Sequence, residues 1–278
     1  ASATQATTKY HYDGEGRLLT VCPPGGTLSS AGICTGTQLA RSFNYDWLGR
    51  LKTATNPESA TISYFYDESA STNGAGNLTS RTQTRGTTST SVTTRYHYDH
   101  LNRMTSKTYS GAPDGITTPT VSFSYDVHNP AISGVTSYPK GRRTRVEVSG
   151  GPVTAIDTYD ALGRPTRSRQ ITNGATYRFG SDSASGYEYF LNGELSKLVL
   201  PSARQILFDV DGAGRLKSVT SGSTQYVSAA AYSDHGALKT LRLNGNRIRE
   251  TYNHDPSRLQ LASIQVDNCS DNTAACTT

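Results

Sequence analysis

One phrase returns along this chain and constrains its fold more than anything else: an aromatic, any residue, Tyr, Asp, two residues, Gly, Arg, Leu. It reads Tyr10-His11-Tyr12-Asp13-Gly14-Glu15-Gly16-Arg17-Leu18 at the start. It recurs as Phe43-Asn44-Tyr45-Asp46-Trp47-Leu48-Gly49-Arg50-Leu51 and Tyr96-His97-Tyr98-Asp99-His100-Leu101-Asn102-Arg103-Met104. Later copies are Tyr159-Asp160-Ala161-Leu162-Gly163-Arg164 and Phe208-Asp209-Val210-Asp211-Gly212-Ala213-Gly214-Arg215-Leu216. Self-similarity of this kind is the mark of a modular array, in which each copy is one supersecondary unit.

Each copy reads as a β-hairpin. Aromatics two apart, as in Tyr64/Tyr66 and Tyr187/Tyr189, fall on one face of a strand. Asp opens a turn by accepting a hydrogen bond from backbone two residues on. Gly three residues after Asp supplies a positive φ, and Asn102 takes that place as the next-best residue for the left-handed region. Arg and Leu then lead into a second strand rich in Ser, Thr and Lys. Taking the Tyr slot as marker, units fall at Tyr12, Tyr45, Tyr66, Tyr98, Tyr125, Tyr159, Tyr189, Val210, Tyr232 and His254, 21 to 34 residues apart. The shortest spacing fits two strands and two short connections. Excess length falls in turns, at Ser69 to Gly74 and through Pro130, Gly134 and Pro139. More falls between hairpins, at Cys22 to Thr37, Arg85 to Ser91 and Gly111 to Thr118. The last two copies are degenerate, Tyr232-Ser233-Asp234-His235-Gly236 lacking the Arg. The array therefore spans 10–266, after a polar lead-in over 1–9 and before a cysteine-containing polar loop or tail over 267–278.

Composition agrees. Only 34% of the 278 residues are hydrophobic, yet 17 are Tyr. That is too few apolar residues for a thick core and too many aromatics for typical disorder. A sheet with one packed and one wet face reconciles the two. No run of 18 apolar residues is present, so no membrane-spanning helix is expected, and the opening residues lack a signal-peptide layout.

The Tyr-Asp-x-x-Gly-Arg-Leu phrase, its minimum spacing near 21 residues and its long run of hairpins resemble the RHS/YD-repeat family over Tyr10 to Ile264. The resemblance implies an all-β fold of tandem hairpins forming a spiralling, twisted sheet or part of a hollow β-shell. In that family such shells enclose the toxic C-terminal parts of bacterial toxin-complex and Rhs proteins, and the teneurins are cell-surface relatives. The implied function is a non-enzymatic, extracellular wall segment that encloses or displays a cargo such as a toxin. The alternative is a surface adhesion or self-assembling fibre protein that binds a glycan or partner through its loops. Many members carry an Asp-Pro-x-Gly type motif linked to aspartate self-cleavage. Asp255-Pro256-Ser257-Arg258 is only an echo of it, which removes that argument here. The partners expected are further YD repeats of the same or a neighbouring chain; strand edges at both ends would invite such pairing.

Four cysteines, Cys22, Cys34, Cys269 and Cys276, lie in loop-like sequence, and of their three possible pairings the local one, Cys22 with Cys34 and Cys269 with Cys276, is expected. Local disulfides would restrain these insertions in an oxidising compartment, outside the cell or at its surface. A four-thiolate metal site is the rival, but neither pair has Cys-x-x-Cys spacing. Net charge is +5. The repeat arginines Arg17, Arg50, Arg103, Arg164 and Arg215 are expected to cover an aromatic, bind a turn carbonyl or pair with the repeat Asp. A denser run, Lys140, Arg142, Arg143 and Arg145 with Arg164, Arg167 and Arg169, reads either as a solvated sheet face or as a basic strip for an acidic glycan. Nucleic acid is a weaker reading of the same run. Catalysis finds little support. The aspartates are already spent as turn formers, His11 and His97 share a strand slot, and no nucleophile elbow or phosphate loop is present. No cofactor is expected. The sequons Asn77-Leu78-Thr79 and Asn268-Cys269-Ser270 are of a kind frequent by chance.

Overall fold

The computed structural model describes residues 6–37, 39–67, 76–84, 91–111, 115–127, 136–181, 183–269 and 276–277, and the regular elements among them are all β-strands. The inserted stretch 69–74 and most of 85–91 and 130–139 lie outside the described residues. The chain divides into two compact units, 1–124 with 146–151 and 125–145 with 152–278.

In the first unit the strands pair antiparallel in chain order. Lys9–Tyr12 pairs with Leu18–Cys22, Arg41–Tyr45 with Leu51–Asn56, Ala60–Tyr66 with Leu78–Thr84, and Ser91–Tyr98 with Met104–Ser110. Each hairpin also pairs with the next, through Thr20↔Ser42, Thr53↔Ser63 and Ser80↔Arg95. The result is a meander in which every Asp-containing turn lies on one rim of the sheet and every linking turn on the other.

The second unit continues the pattern. Its hairpins join Val153–Tyr159 to Pro165–Thr172, Tyr187–Tyr189 to Leu195–Val199 and Gln205–Val210 to Leu216–Ser221. Thr224–Tyr232 then pairs with Leu238–Leu243, and Ile248–His254 with Leu261–Cys269. The boundary between the units runs through the strands Val121–Tyr125 and Arg143–Val148. Counting these two as the fifth hairpin, the described residues hold ten, one at each marker residue. They are numbered here in chain order.

Each fully described hairpin carries the same irregularity. The register slips just before the Tyr slot, so that His11 faces Thr20 but Tyr12 faces Leu18, and Asn44 faces Thr53 but Tyr45 faces Leu51. The same slip precedes Tyr66, Tyr189 and Val210. One extra residue on the outgoing strand makes a bulge, which locally raises the right-handed twist. Twist is therefore written into every repeat rather than imposed from outside.

The interior is thin and largely polar. Cys22, Ala54, Ile62, Val153, Ala155 and Tyr159 are buried, but so are Thr20, Thr79, Ser80, Thr144, Thr158 and Ser168. Cross-strand hydroxyl pairs account for some of these, Thr158 with Thr166 at 2.6 Å and the half-buried Thr82 with Thr93 at 2.9 Å. Short polar side chains satisfied across a ladder cost little to bury and let one layer of sheet stand without a thick apolar filling.

Three features depart from the sequence expectation. An additional strand, Ala175–Phe179, pairs with the far end of Pro165–Thr172, while the near end of that strand holds the backbone of Gly186 (Gly186 N–H to Thr166 C=O, 2.8 Å). The strand thus forks, and Gly186 sits in the fork. Residues 267–269 do not begin a loop: Asp267 is buried inside the strand Leu261–Cys269, where Arg249 Nη2 and Nε donate to its Oδ2 at 2.6 and 2.9 Å. An ion pair across two paired strands fixes as strand what polarity alone reads as tail. In the first insertion a small hairpin, Thr27–Leu28 with Cys34–Thr35, is closed onto the sheet by the Cys22–Cys34 disulfide. Cys269 is also disulfide-bonded and its backbone stands opposite Cys276, whose side chain lies outside the described residues.

Candidate functional site

The repeat phrase folds into a turn closed by the same set of hydrogen bonds in five hairpins. In the first, second, fourth, sixth and eighth hairpins, the Asp N–H donates to the Arg carbonyl at 2.8–3.0 Å. The Gly or Asn three residues on donates to the Asp carbonyl at 2.9–3.1 Å. One carboxylate oxygen of Asp13, Asp46, Asp99, Asp160 and Asp211 accepts the Arg backbone N–H at 2.8–3.0 Å. The other accepts Nε of Arg17, Arg50, Arg103, Arg164 and Arg215 at 2.6–2.8 Å. Gly16, Gly49, Gly163 and Gly214 have φ between 78° and 85°, and Asn102 has 60°. A single side chain thus closes the turn and aims the guanidinium back over the sheet.

That aim matters because the next hairpin is waiting for it. Arg17 lies over the Tyr45 ring at 5.3 Å, Arg50 over Tyr66 at 4.4 Å, Arg164 over Tyr189 at 4.5 Å and Arg215 over Tyr232 at 4.4 Å. The tyrosine then donates its hydroxyl proton to the carbonyl of the residue after that Arg. Tyr45 reaches Leu18 at 3.1 Å, Tyr66 Leu51 at 3.1 Å, Tyr189 Pro165 at 2.8 Å and Tyr232 Leu216 at 2.8 Å. Tyr159 does the same to Arg143 at 2.5 Å, beneath Arg142, and Tyr98 to Leu78 at 2.9 Å. Five of these seams therefore carry both a cation over a ring and a hydroxyl on a backbone carbonyl, and the Tyr98 seam carries the hydroxyl bond. Arg50 adds a bond across the seam, Nη1 to Asp67 at 2.7 Å.

The variants show which parts are essential. In the seventh hairpin Phe190 stands in the Asp slot and Glu194 in the Arg slot. The backbone bonds survive (2.8 and 3.0 Å), with Asn192 accepting the Glu194 N–H at 3.1 Å. In the third and fifth, where residues are inserted between Asp and Gly, Asp67 and Asp126 themselves take positive φ. Their carboxylates still reach the glycine N–H across the insertion, at Gly76 (2.5 Å) and Gly141 (2.6 Å). In the ninth, Ser233 replaces Asp and Ala237 replaces Arg, while His254 fills the next Tyr slot. There the seam becomes an edge-to-face contact of His235 with His254, ring centres 5.2 Å apart.

The basic run does not form one open strip. Arg167 is buried, donating Nε to the Ser181 and Ala184 carbonyls at 2.9 and 3.1 Å beneath the fork. Arg169 sits 3.5 Å from the buried carboxylate of Asp157. Arg142 donates to the Tyr138 and Lys140 carbonyls at 2.8 and 3.0 Å, Arg143 is exposed and Arg145 is half-buried. Arginines two apart on a strand share a face, but here Arg167 is spent on backbone carbonyls and Arg169 on a carboxylate, while Arg143 faces water. His11 packs on the backbone of Gly32, where a Cβ would come within 2.1 Å of its ring, and His97 is half-buried in its strand. Asn77 Nδ2 donates to Asn102 Oδ1 at 3.1 Å, linking two turns. Among the described residues no group of three or more His, Cys, Asp or Glu is placed to hold a metal ion, and no helix is long and apolar enough to cross a membrane.

The turn aspartates are held below the ordinary carboxylate range. The Arg17 backbone N–H, with its guanidinium, holds the Asp13 carboxyl below the usual carboxylate range; the Arg103 backbone does so first for Asp99, and the Arg215 side chain first for Asp211. For Asp46 and Asp160 burial pushes the carboxyl up, but the bonds from Arg50 and Arg164 outweigh it. A carboxyl depressed by folding contributes stability that is complete above its unfolded value of about 4 and is lost as pH falls through its folded value. The melting temperature is therefore expected to be flat from pH 7 to about 5 and to drop steeply below about pH 4. A decline centred near pH 6 in a melting series would show that histidines, not aspartates, govern the fold.

Gly49 gives a cleaner test of the turn. Its φ is 79°, and an added Cβ would meet only the Arg17 guanidinium, at 3.4 Å. Space is not limiting, so Gly49→Val measures backbone strain, about 1–3 kcal/mol in a chemical-denaturation series. Unchanged stability would contradict the left-handed turn.

No protein-family model matches the sequence, and no curated protein sequence matches it either. Solved structures do. The chain superposes on a crystal structure of TcdB2-TccC3 without its hypervariable C-terminal region with a TM-score of 0.71 at 14% identity. The match covers 96% of this chain and 13% of that one. The fold is shared with TcdB2-TccC3. The TcdB2-TccC3-Cdc42 crystal structure gives 0.67 at 15% identity over 94% of the chain. A Tc holotoxin pore from Photorhabdus luminescens gives 0.60 at 13% identity over 95% of it. The chain spans about an eighth of the TcdB2-TccC3 chains it matches, 13%. At these identities the likeness is one of fold, and in this Tc-toxin-like fold the clamp of Asp, Arg and Tyr is the feature that the sequence repeats.

Proposed function

We propose that this chain is a non-enzymatic wall segment of an extracellular YD-repeat shell, one that encloses or displays a cargo such as a toxin. The observation that carries the proposal is the seam: the Arg of one hairpin covers the Tyr of the next, whose hydroxyl bonds the preceding backbone. Such a seam builds a continuous sheet and leaves few polar groups over for chemistry. The shared fold with TcdB2-TccC3 supports a shell. The Cys22–Cys34 bridge supports an oxidising compartment. Further YD repeats are the partners this reading requires, with cargo held on the inner face.

The test is the mass and assembly of the natural polypeptide under native and denaturing conditions. A chain far above 29.8 kDa that releases a C-terminal fragment on denaturation is the expected result. A chain near 29.8 kDa that runs as an ordered polymer would replace the shell with a self-assembling surface fibre.

A further inference from the structure

The ninth and tenth hairpins meet without the usual fastening. Ala237 stands where the repeat has its Arg, and His254 where it has its Tyr. His235, from the turn of the ninth hairpin, faces His254 instead, with ring centres 5.2 Å apart and planes at 81°. Both rings line one cavity of about 330 Å³. Asp234 and Lys239 line it too and offset each other in charge. Hydrogen bonding decides which ring nitrogens are free. Ser233 has a single hydroxyl proton and donates it to the Ala237 carbonyl at 3.0 Å. Toward His235 Nε2, 3.3 Å away, the same oxygen therefore accepts. Nε2 thus carries the proton, and Nδ1 of His235 keeps a bare lone pair. The His254 ring has no hydrogen-bond partner among the described residues.

We propose that His235 and His254 are the protein ligands of a zinc-type divalent metal ion, which staples the ninth hairpin to the tenth. The spacing fits. With Zn–N of about 2.1 Å, two imidazoles on one tetrahedral ion hold their ring centres about 5 Å apart. The outer bond fits as well, because a ligating histidine ordinarily gives its other ring N–H to an oxygen, as His235 gives Nε2–H to Ser233. The second torsion of a histidine side chain is broad, so the rings can turn their free nitrogens to one point without moving the backbone. Among the described residues no third His, Cys, Asp or Glu is placed to join them, so water fills the remaining positions, and the cavity has room for it. Imidazole donors favour zinc, copper or nickel over magnesium and calcium, which take oxygen ligands. The inference stands on this seam alone and holds whether or not a cargo is enclosed.

The test is calorimetric titration of the full chain, free of added histidines, with Zn2+ alone. One saturable site per chain is expected. His235→Ala and His254→Tyr should each weaken it by about tenfold or more, since each removes one of the two ligands. His254→Tyr restores the aromatic of the repeat, so the seam stays packed while the ligand is lost. His100→Ala, in an exposed turn of the fourth hairpin, should leave binding unchanged. Zn2+ should also slow amide exchange in Leu238–Leu243 and Ile248–His254 of the wild type, and in neither ligand variant. The proposal is overturned if no saturable binding is seen up to millimolar Zn2+, or if either ligand variant binds as tightly as the wild type. Binding that leaves amide exchange across the two strands unaltered would make the ion adventitious and overturn the staple equally.

Discussion

Gly186→Ala is expected to destabilise the second unit by about 3 kcal/mol or more, with the loss read from the denaturant midpoint. The reason is the fork. Pro165–Thr172 pairs with Ala175–Phe179 along one stretch and binds Gly186 along another, so two segments leave one strand within a few residues. Gly186 donates to Thr166 and accepts from Val199, at 2.8 and 2.7 Å, and is locked on both sides. A Cβ there would lie 2.1 Å from the Phe179 carbonyl oxygen and 2.7 Å from the Gly180 nitrogen. Both are backbone atoms, and no rotamer change can relieve them. Gly174→Ala, whose added carbon meets nothing within 4 Å, is the control for strain without a clash. If the two variants have equal midpoints, the fork is not formed as described.

The second large effect is expected at Arg50. Its guanidinium joins three partners: Asp46 at 2.7 Å in its own turn, Asp67 at 2.7 Å in the next hairpin, and the Tyr66 ring at 4.4 Å. Arg50→Ala should lower the denaturant midpoint clearly, since two charge-assisted bonds and a cation over a ring are lost together. Arg50→Lys should recover only a fraction, because an ammonium cannot direct one planar nitrogen at each carboxylate while lying flat on the ring. Full recovery by lysine would reduce the seam to simple charge attraction. A double-mutant cycle with Tyr66→Phe would then apportion what remains.

Much of this fold was legible in the sequence because its information is local. Asp, Gly and Arg at fixed offsets specify a turn whose bonds lie within five residues, and ten marker residues gave ten hairpins. The arginine options named from sequence were an aromatic, a turn carbonyl or the Asp, and Arg164 meets all three. What stayed hidden was relational. That Tyr66 bonds the carbonyl of Leu51 depends on hairpin stacking, which no spacing displays. Arg167 looked like its charged neighbours, and only the carbonyls of Ser181 and Ala184 show why it is buried. Ala175–Phe179 carries no repeat phrase, so nothing announced an additional strand.

The seams have a consequence for how the molecule comes apart. Each hairpin is fastened to its neighbours alone, so the ribbon behaves as a linear chain of couplings and its unfolding as a walk along that line. Loss of one fastening exposes the next, and fraying starts where a fastening is weakest. Two junctions lack both the arginine and the tyrosine: that of Glu194 with Val210, and that of Ala237 with His254. Amide exchange should accordingly be fastest on either side of these two junctions. The same additivity lets whole hairpins be inserted or deleted without redesign, provided the cut falls between one arginine and the tyrosine it covers and the new neighbours restore that pair.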